Sequence, residues 1–355
     1  MATAVDELVR RPGAWLAAGG DTAIVISSRV RLARNLSGVP FPAWAKEPDC
    51  IRAWNDLVPV LSALPCLSAP LVLSMADLGL VDRLVLRERH LISIEMSEKG
   101  KGCGVVMRHD ETVAIMVNEE DHLRLQAMRP GLQVQSLWEE IDAIDTQVEE
   151  RVRFAFSPQL GYLTACPTNV GTGLRASVML HLPGLRLINE IDPVIKGLSK
   201  VGLAVRGLLG EGTEAFGNMF QISNQTTLGE SEDAIIRRLI QIVGEVVDHE
   251  RNARARLQEQ KPDVVMDRVG RAYGVLCHAH VLTSGEALDL LSALRLGVEL
   301  GLIRNLDTPA INELMVLTQP GHLQKIEGVE LEAGQRDIVR ARIMRQSIQP
   351  RVTLG

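Results

Sequence analysis

"SSRVRLARN", residues 27–35, places Arg29 and Arg31 two apart. In an extended strand alternate side chains share a face, so the two guanidinium groups would form a two-pronged grip on an anion; a solvated basic face carries the same spacing. "VNEEDHLRLQ", residues 117–126, sets Glu119, Glu120 and Asp121 side by side. Adjacent carboxylates repel one another unless they meet cations, a metal or solvent, although an acidic turn capping a helix reads alike. "ACPTNVGTGLRASVML", residues 165–180, combines Cys166, Thr168, Asn169 and glycines with Arg175. Glycines there could turn backbone N–H groups towards an anion, with Arg175 completing the charge balance, or the stretch could be a structural turn. "RGLLGEGTEAFGN", residues 206–218, supplies Arg206 and then Glu211 in a glycine-rich loop that could approach a ligand, or a plain surface loop. Near the C-terminus "QRDIVRARIMR" brings Arg336 and Arg340 onto one helical face beside Asp337, the pattern also of a solvated basic helix.

These groups need elements to hold them. Residues 22–32 alternate apolar and polar as a strand ending in arginines, and residues 103–118 read as two strands joined at His109-Asp110-Glu111. "RLINEI", "VGLAVRGLLG" and "FQISNQTTLG" read as further strand-to-loop passages. Residues 231–260 predict a long helix: Ser231 can cap it, Glu232 and Asp233 suit its positive end, and Ile235, Leu239, Ile242, Val243 and Val246 make an apolar stripe. Pro262 marks a boundary, and three amphipathic helical patterns follow. The expected organisation is a short leading segment (1–21), an α+β domain (22–260) and an all-helical domain (261–355).

Several function classes lack their signatures. There is no GxxxxGK[ST], no strand-borne GxGxxG and no HExxH, and His278 and His280 do not share a helical face. A net charge of −6 and a pI near 5.8 argue against a general nucleic-acid binder. The five cysteines are scattered and form no CxxC pair, so no disulfide framework and no metal site is indicated, and a reducing cytoplasm fits best. "LVPVLSALPCLSAPLVLSMA", residues 57–76, is uncharged and long, but Pro59, Pro65 and Pro70 interrupt it; short helices and turns are expected rather than a membrane span. The N-terminus does not read as a signal peptide. Only seven of the 38 basic residues are lysine, which genome composition explains, yet arginine is also the side chain that grips phosphate bidentately.

Taken in order, "SSRVRLARN", "VNEEDHLRLQ", "CPTNVGTGLRASV" and "RGLLGEGTEAFGNMFQISNQ" resemble the ATP:guanidino phosphotransferase (phosphagen kinase) family over roughly residues 22–255. "GEGTEAFGNMFQISNQ" and "RDIVRA" (336–341) bring the chain closer to the branch that phosphorylates arginine side chains of proteins. The resemblance implies an α+β fold with the antiparallel, glutamine-synthetase-like sheet and flanking helices of phosphagen kinases, followed by an all-helical C-terminal domain. It implies that ATP phosphates are cradled by Arg29, Arg31, Arg124, Arg175 and Arg206, with His90 near the nucleotide. The nucleotide-binding segments carry with them Ser27, Ser28 and Val30; Ala176, Ser177, Val178 and Met179; and Gly207, Leu208, Leu209 and Gly210. The guanidinium-holding carboxylates fall on Glu120 and Glu211, and the reactive cysteine on Cys166.

Those residue types suit the chemistry. A guanidinium is protonated at every accessible pH, so its nitrogen is a poor nucleophile. Two carboxylates can orient it, raise electron density on the attacking nitrogen and accept the released proton. Arginines and Mg²⁺ then neutralise the γ-phosphoryl group during a largely positional transfer. Cys166 would serve as a thiolate partner for the guanidinium. Glu119 and Asp121 would support the site or reach Mg²⁺ through water.

Two departures point to a protein acceptor. Small-molecule relatives place a helical domain before the first arginine motif, for which this chain leaves no room, and Leu209 stands where they carry a further arginine. The resemblance also implies a regulatory phosphoarginine pocket at Arg336, Asp337, Arg340 and Ala341, a homodimer, a zinc-binding activator protein, and a stress-linked role marking proteins for a Clp-type protease. A kinase of free arginine or a similar guanidino compound, or a phosphoarginine-binding adaptor with a vestigial site, are the alternatives.

Overall fold

The computed structural model describes residues 4–17, 22–207 and 216–349, together with the backbone of 353–354. Its strands are β1 (Val25–Arg34), β2 (Leu71–Ser74), β3 (Gly104–Met107), β4 (Val113–Val117), β5 (Leu123–Pro130), β6 (Phe156–Ser157), β7 (Gly161–Tyr162), β8 (Leu174–His181), β9 (Leu203–Gly207), β10 (Met219–Asn224), β11 (Ile303–Arg304) and β12 (Thr353–Leu354). The helices up to the long one are α1 (Ala4–Val9), α2 (Glu47–Ser62), α3 (Leu80–Glu88), α4 (Ile94–Ser97), α5 (Val134–Glu149), α6 (Pro183–Leu187), α7 (Ile191–Lys200) and α8 (Glu232–Gln260). After it come α9 (Pro262–His278), α10 (Ser284–Glu299), α11 (Thr308–Leu317), α12 (Pro320–Glu327) and α13 (Ala333–Ile348).

Eight strands form one antiparallel sheet in the order β2-β3-β4-β5-β1-β8-β10-β9. Strand alternation divides its side chains between two faces. One face carries Val30, Leu32, Leu125, Ala176, Val178 and Ile222, packed under α2, α5 and α8 in the largest apolar cluster. The opposite face changes character along the sheet. At β2–β4 it is apolar: Val105, Met107 and Met116 pack with Val5 and Leu8 of α1, Val85 and Leu86 of α3 and Met96 of α4. From β5 to β9 it bears arginines.

Helix α8 begins as expected, with the Ser231 hydroxyl accepting from Ala234 N. Pro262 occupies the first turn of α9, where its missing N–H costs nothing. The helices beyond share a second cluster that also takes in Ile26 of β1 and Met219 of β10, so the helical part grows directly on one end of the sheet. The antiparallel sheet, its flanking helices and the helical C-terminal part agree with the expected fold class; only the short β11–β12 pair interrupts the helices.

Two local readings need correction. Pro59 does not break the 57–76 segment: α2 runs through it to Ser62, and "LVLS" is edge strand β2 rather than helix or turn. "RLINEI" is not a strand. Pro183 starts the short helix α6, and the chain turns at Asn189 (φ +60°) into α7. Among the described residues no helix is long and apolar enough to cross a membrane.

Candidate active site

Directly opposed residues of neighbouring strands share a face, and the registers bring the motif arginines together. Arg31 lies opposite Arg175 on β8 and opposite Gln126 on β5; Arg124 is two residues along from Gln126, on the same side. Arg29 lies opposite Ser177, and its Nη2 donates to Gln221 Oε1 at 2.8 Å. Gln221 in turn lies opposite Arg206 on β9. Five arginines from four strands thus occupy one continuous face.

Their electrostatics are those of a cation cluster without enough acid. Burial, then Arg124 and Arg175, lower the Arg29 pKa to about 10. Burial and the same neighbours together with Arg29 push Arg31 well down, and its buried Nε has no hydrogen-bond partner. Arg175 is lowered by burial, Arg206 and Arg124. Mutual repulsion of this kind is relieved by a bound polyanion, and an orphaned buried N–H needs an acceptor. A nucleotide triphosphate has the required oxygens and charge.

His90 follows α3 in the left-handed region (φ +58°). Gln126 Nε2 donates to its carbonyl at 2.7 Å, and Trp15 packs edge-on to its ring with centroids 5.2 Å apart. Burial, Arg29 and Arg31 hold its pKa down to about 3, so the ring is neutral at ordinary pH.

On the carboxylate side, the 118–122 turn closes through Asn118 N to His122 O. Glu119 is buried and committed: it accepts from Arg124 Nη1 at 2.9 Å and from the Ser93 hydroxyl. Glu120 meets Arg124 Nη2 at 3.1 Å while its side chain stays 39% exposed, the most accessible of the three acids. Burial raises its pKa against the opposing pull of Arg124, with Asp121, Glu119 and Glu95 adding to the rise. Asp121 is buried, with Oδ1 accepting from Asn35 Nδ2 and Ala165 N and Oδ2 unpartnered. Cys166 Sγ lies 3.0 Å from Thr168 Oγ1, and the fields of both Cys166 and Glu120 act on Arg175. Glu120 and Cys166 therefore both lie on the Arg175 side of the sheet's arginine face, near enough to act on its charge.

Not every residue in the motif segments faces this site. Val30, Ala176 and Val178 point to the opposite face, into the main core. Ser28 points with them, donating to Gly131 O and accepting from Gln133 N. Ser27, Ser177 and Met179 lie on the arginine side by alternation. The glycines of 165–175 do not cradle an anion: Gly171 N donates to Tyr162 O and Thr172 N to Thr227 O. Gly171 and Gly173 instead admit backbone, Gly171 against Thr227 O and Gly173 against Ala33 O, where a Cβ at Gly173 would lie 2.6 Å away. Gly207 ends β9, whereas Leu208, Leu209, Gly210 and Glu211 lie outside the described residues. Gln221, Gln126, Ser93 and Trp15 were not singled out beforehand. Gln221 was accessible to the period-2 pattern of "MFQISN", in which Phe220 and Ile222 face the core.

In the tail, Arg340 is buried and donates to Thr318 O, Leu282 O, Ser284 Oγ and Asp337 Oδ1, while Ala341 is fully buried. Arg336 donates to Leu331 O. The motif thus pins the start of α10, and a phosphate arriving there has to share Arg340 with these partners. Among the described residues no three acids, histidines or cysteines cluster as a metal cage. Mg²⁺ suits this donor set only as a companion of nucleotide phosphates, since it needs few protein oxygens when phosphates supply the rest.

Two family models match the chain: "ATP:guanido phosphotransferase, C-terminal catalytic domain" over residues 67–253 and "Protein-arginine kinase McsB C-terminal domain" over residues 262–353. The protein-arginine kinase of Halothermothrix orenii is 47% identical over 332 residues, 93% of this chain and 95% of its own length. That of Moorella thermoacetica is 48% identical over 342 residues, 95% and 98%. Among solved structures, lombricine kinase superposes with a TM-score of 0.60 at 25% identity, covering 70% of this chain and 71% of its own. The duplicated taurocyamine kinase of Schistosoma mansoni, with bound transition-state analogue components, gives 0.60 at 27% identity over 66% of this chain and 34% of its own.

Proposed function

The chain belongs to the protein-arginine kinase family and is a guanidino phosphotransferase, and from that premise we propose how its residues share the work. The arginine face binds ATP: Arg29, Arg31, Arg124, Arg175 and Arg206 neutralise the phosphates, beside a neutral His90. The observation that carries this reading is the half-buried, mutually destabilised trio of Arg29, Arg31 and Arg175, with the orphaned Arg31 Nε. Mg²⁺ supplies charge neutralisation on the phosphates when bound.

The acceptor guanidinium enters at the rim of Glu120 and Cys166. Glu120, with its raised pKa and accessible oxygens, orients the guanidinium and takes its proton as the nitrogen attacks phosphorus. Glu211 is assigned the second carboxylate on its motif alone, and Cys166 contacts the guanidinium from the other side. Because the acceptor is a protein side chain, the substrates are proteins with exposed arginines.

The wider reading is a catalytic domain to about residue 260 and a regulatory, dimer-forming helical domain beyond it, with a phosphoarginine pocket at Arg336, Asp337, Arg340 and Ala341. A cytoplasmic enzyme of stress-linked quality control, with a zinc-type activator and a Clp-type protease downstream, fits that reading. ADP release from Mg·ATP separates the acceptor classes. We expect an unfolded arginine-rich protein to stimulate release and free arginine to leave it at background. The reverse order moves the chain to the small-guanidine kinases.

A further inference from the structure

Asn35 directly follows β1, four residues beyond Arg31, and is buried. Burying a primary amide is unfavourable unless its donors and acceptor are satisfied, and an apolar residue would fill the same space without that demand. Here the bonds all end on two other segments. Nδ2 donates to Asp121 Oδ1 at 2.6 Å and to Leu163 O at 3.1 Å. Oδ1 accepts from His122 N at 2.9 Å and lies 2.8 Å from His122 Nδ1. The Asn35 carbonyl accepts from Ala155 N, the Ala155 carbonyl accepts from Leu163 N, and Asp121 Oδ1 also accepts from Ala165 N at 2.7 Å. One side chain therefore joins the arginine strand to the turn bearing Glu120 and to the segment leading into Cys166, which lie 86 and 128 residues further along the chain.

We infer that Asn35 is a positioning residue that holds Glu120 and Cys166 in one register with the nucleotide-binding arginines. The inference deepens the catalytic reading above and rests on it. Asp121 is the shared joint: its Oδ1 receives the Asn35 amide and the Ala165 N–H, one residue from Glu120 on one side and one residue from Cys166 on the other. None of these hydrogen bonds ends on an arginine of the nucleotide face, so their loss should misplace the acceptor more than the nucleotide seat.

Asn35→Asp tests this isosterically, because a carboxylate oxygen then faces Asp121 Oδ1 and Leu163 O where a donor stood. We expect kcat on an unfolded protein acceptor to fall about 100-fold, the scale of an ångström misplacement, with ATP affinity held within about threefold. The rate of Cys166 alkylation by iodoacetamide, read by peptide mass spectrometry, should change several-fold. Should Asn35→Asp fail to show a native melting transition, Asn35→Ser is read by the same criteria. Wild-type turnover in the folded variant, or parallel loss of kcat and ATP affinity, overturns the inference. Glu120→Gln run alongside separates the two levels. If it is inactive while Asn35→Asp is not, only the positioning role falls; if it is fully active, the catalytic reading itself falls.

Discussion

Arg31 and Glu120 show how differently two exposed-looking charges can be used. Arg31 is surrounded by like charge and lacks a partner at Nε, so it is poised for a polyanion; Arg31→Gln should raise the KM for ATP tenfold or more, the value of one or two charge-assisted hydrogen bonds of about 1.5–3 kcal/mol. A nucleotide titration decides it, and unchanged KM would remove Arg31 from the nucleotide seat. Glu120 must be ionised to accept a proton, and burial raises its pKa, so activity should fall on the acid side at a higher pH than an ordinary carboxylate imposes. Stability carries a separate acid limb. His122 is buried with its pKa down at about 4 against 6.5 when unfolded, so the unfolded chain binds more protons between these values. Stability is therefore full above pH 6.5 and falls as pH drops towards 4, at up to about 1.4 kcal/mol per pH unit from this group. Denaturant melts at pH 7.5 and 5.0 would show it; identical midpoints would contradict it. These residue types were legible in the sequence, but their partners were not: alternation gives Gln221 a face, while the strand registers that set it beside Arg206 and Gln126 beside Arg31 are not written in any spacing.

At the scale of elements, alternation along β1 and β8 sorted the motif residues correctly by type yet could not be applied from the motif alone. Arg29 and Arg31 share one sheet face as the spacing predicts, while Val30, Ala176 and Val178, carried along with their segments, pack in the core. The glycine loop stays ambiguous in the sequence for a related reason: positive φ and absent side chains suit anion cradles and close backbone contact alike, and only the neighbours distinguish them. Gly173 and Gly38 make the distinction measurable. Both have positive φ (+68° and +75°), but only Gly173 faces a backbone oxygen. Gly173→Ala should cost on the order of 2 kcal/mol more than Gly38→Ala in denaturant unfolding, the added cost of forcing β1 and the loop apart. Equal costs would mean that backbone strain alone matters.

Over the whole molecule, the helical part and the sheet are joined by a buried polar knot. Arg295 of α10 donates to Thr22 O, Ala23 O and Asn312 Oδ1 and meets His181 Nδ1 at 2.7 Å. Ser292 Oγ accepts from Asn218 Nδ2 and meets His181 Nε2. The ends of β1, β8 and β10 are thus held by one helix. Arg295→Met should lower stability by about 3 kcal/mol or more, since several carbonyls lose their donor at once, and a single cooperative transition should be retained. A loss below about 1 kcal/mol would mean that the apolar contacts of Ile26 and Met219 suffice. The start of α9 at Pro262 and the helical periods beyond it were readable in the sequence. This joint was not, because His181 at its centre lies more than 100 positions from both Ser292 and Arg295. The central claim, that the arginine face and Glu120 together phosphorylate protein arginines, is tested most directly by mass spectrometry under non-acidic conditions. An unfolded arginine-rich protein is incubated with Mg·ATP and either the wild-type or the Glu120→Gln chain. Phosphoarginine is expected on the protein with the wild type, and a loss of about 1,000-fold or more with Glu120→Gln, while ATP binding persists. Equal phosphoarginine from both chains, or phosphate only on other side chains, would contradict it.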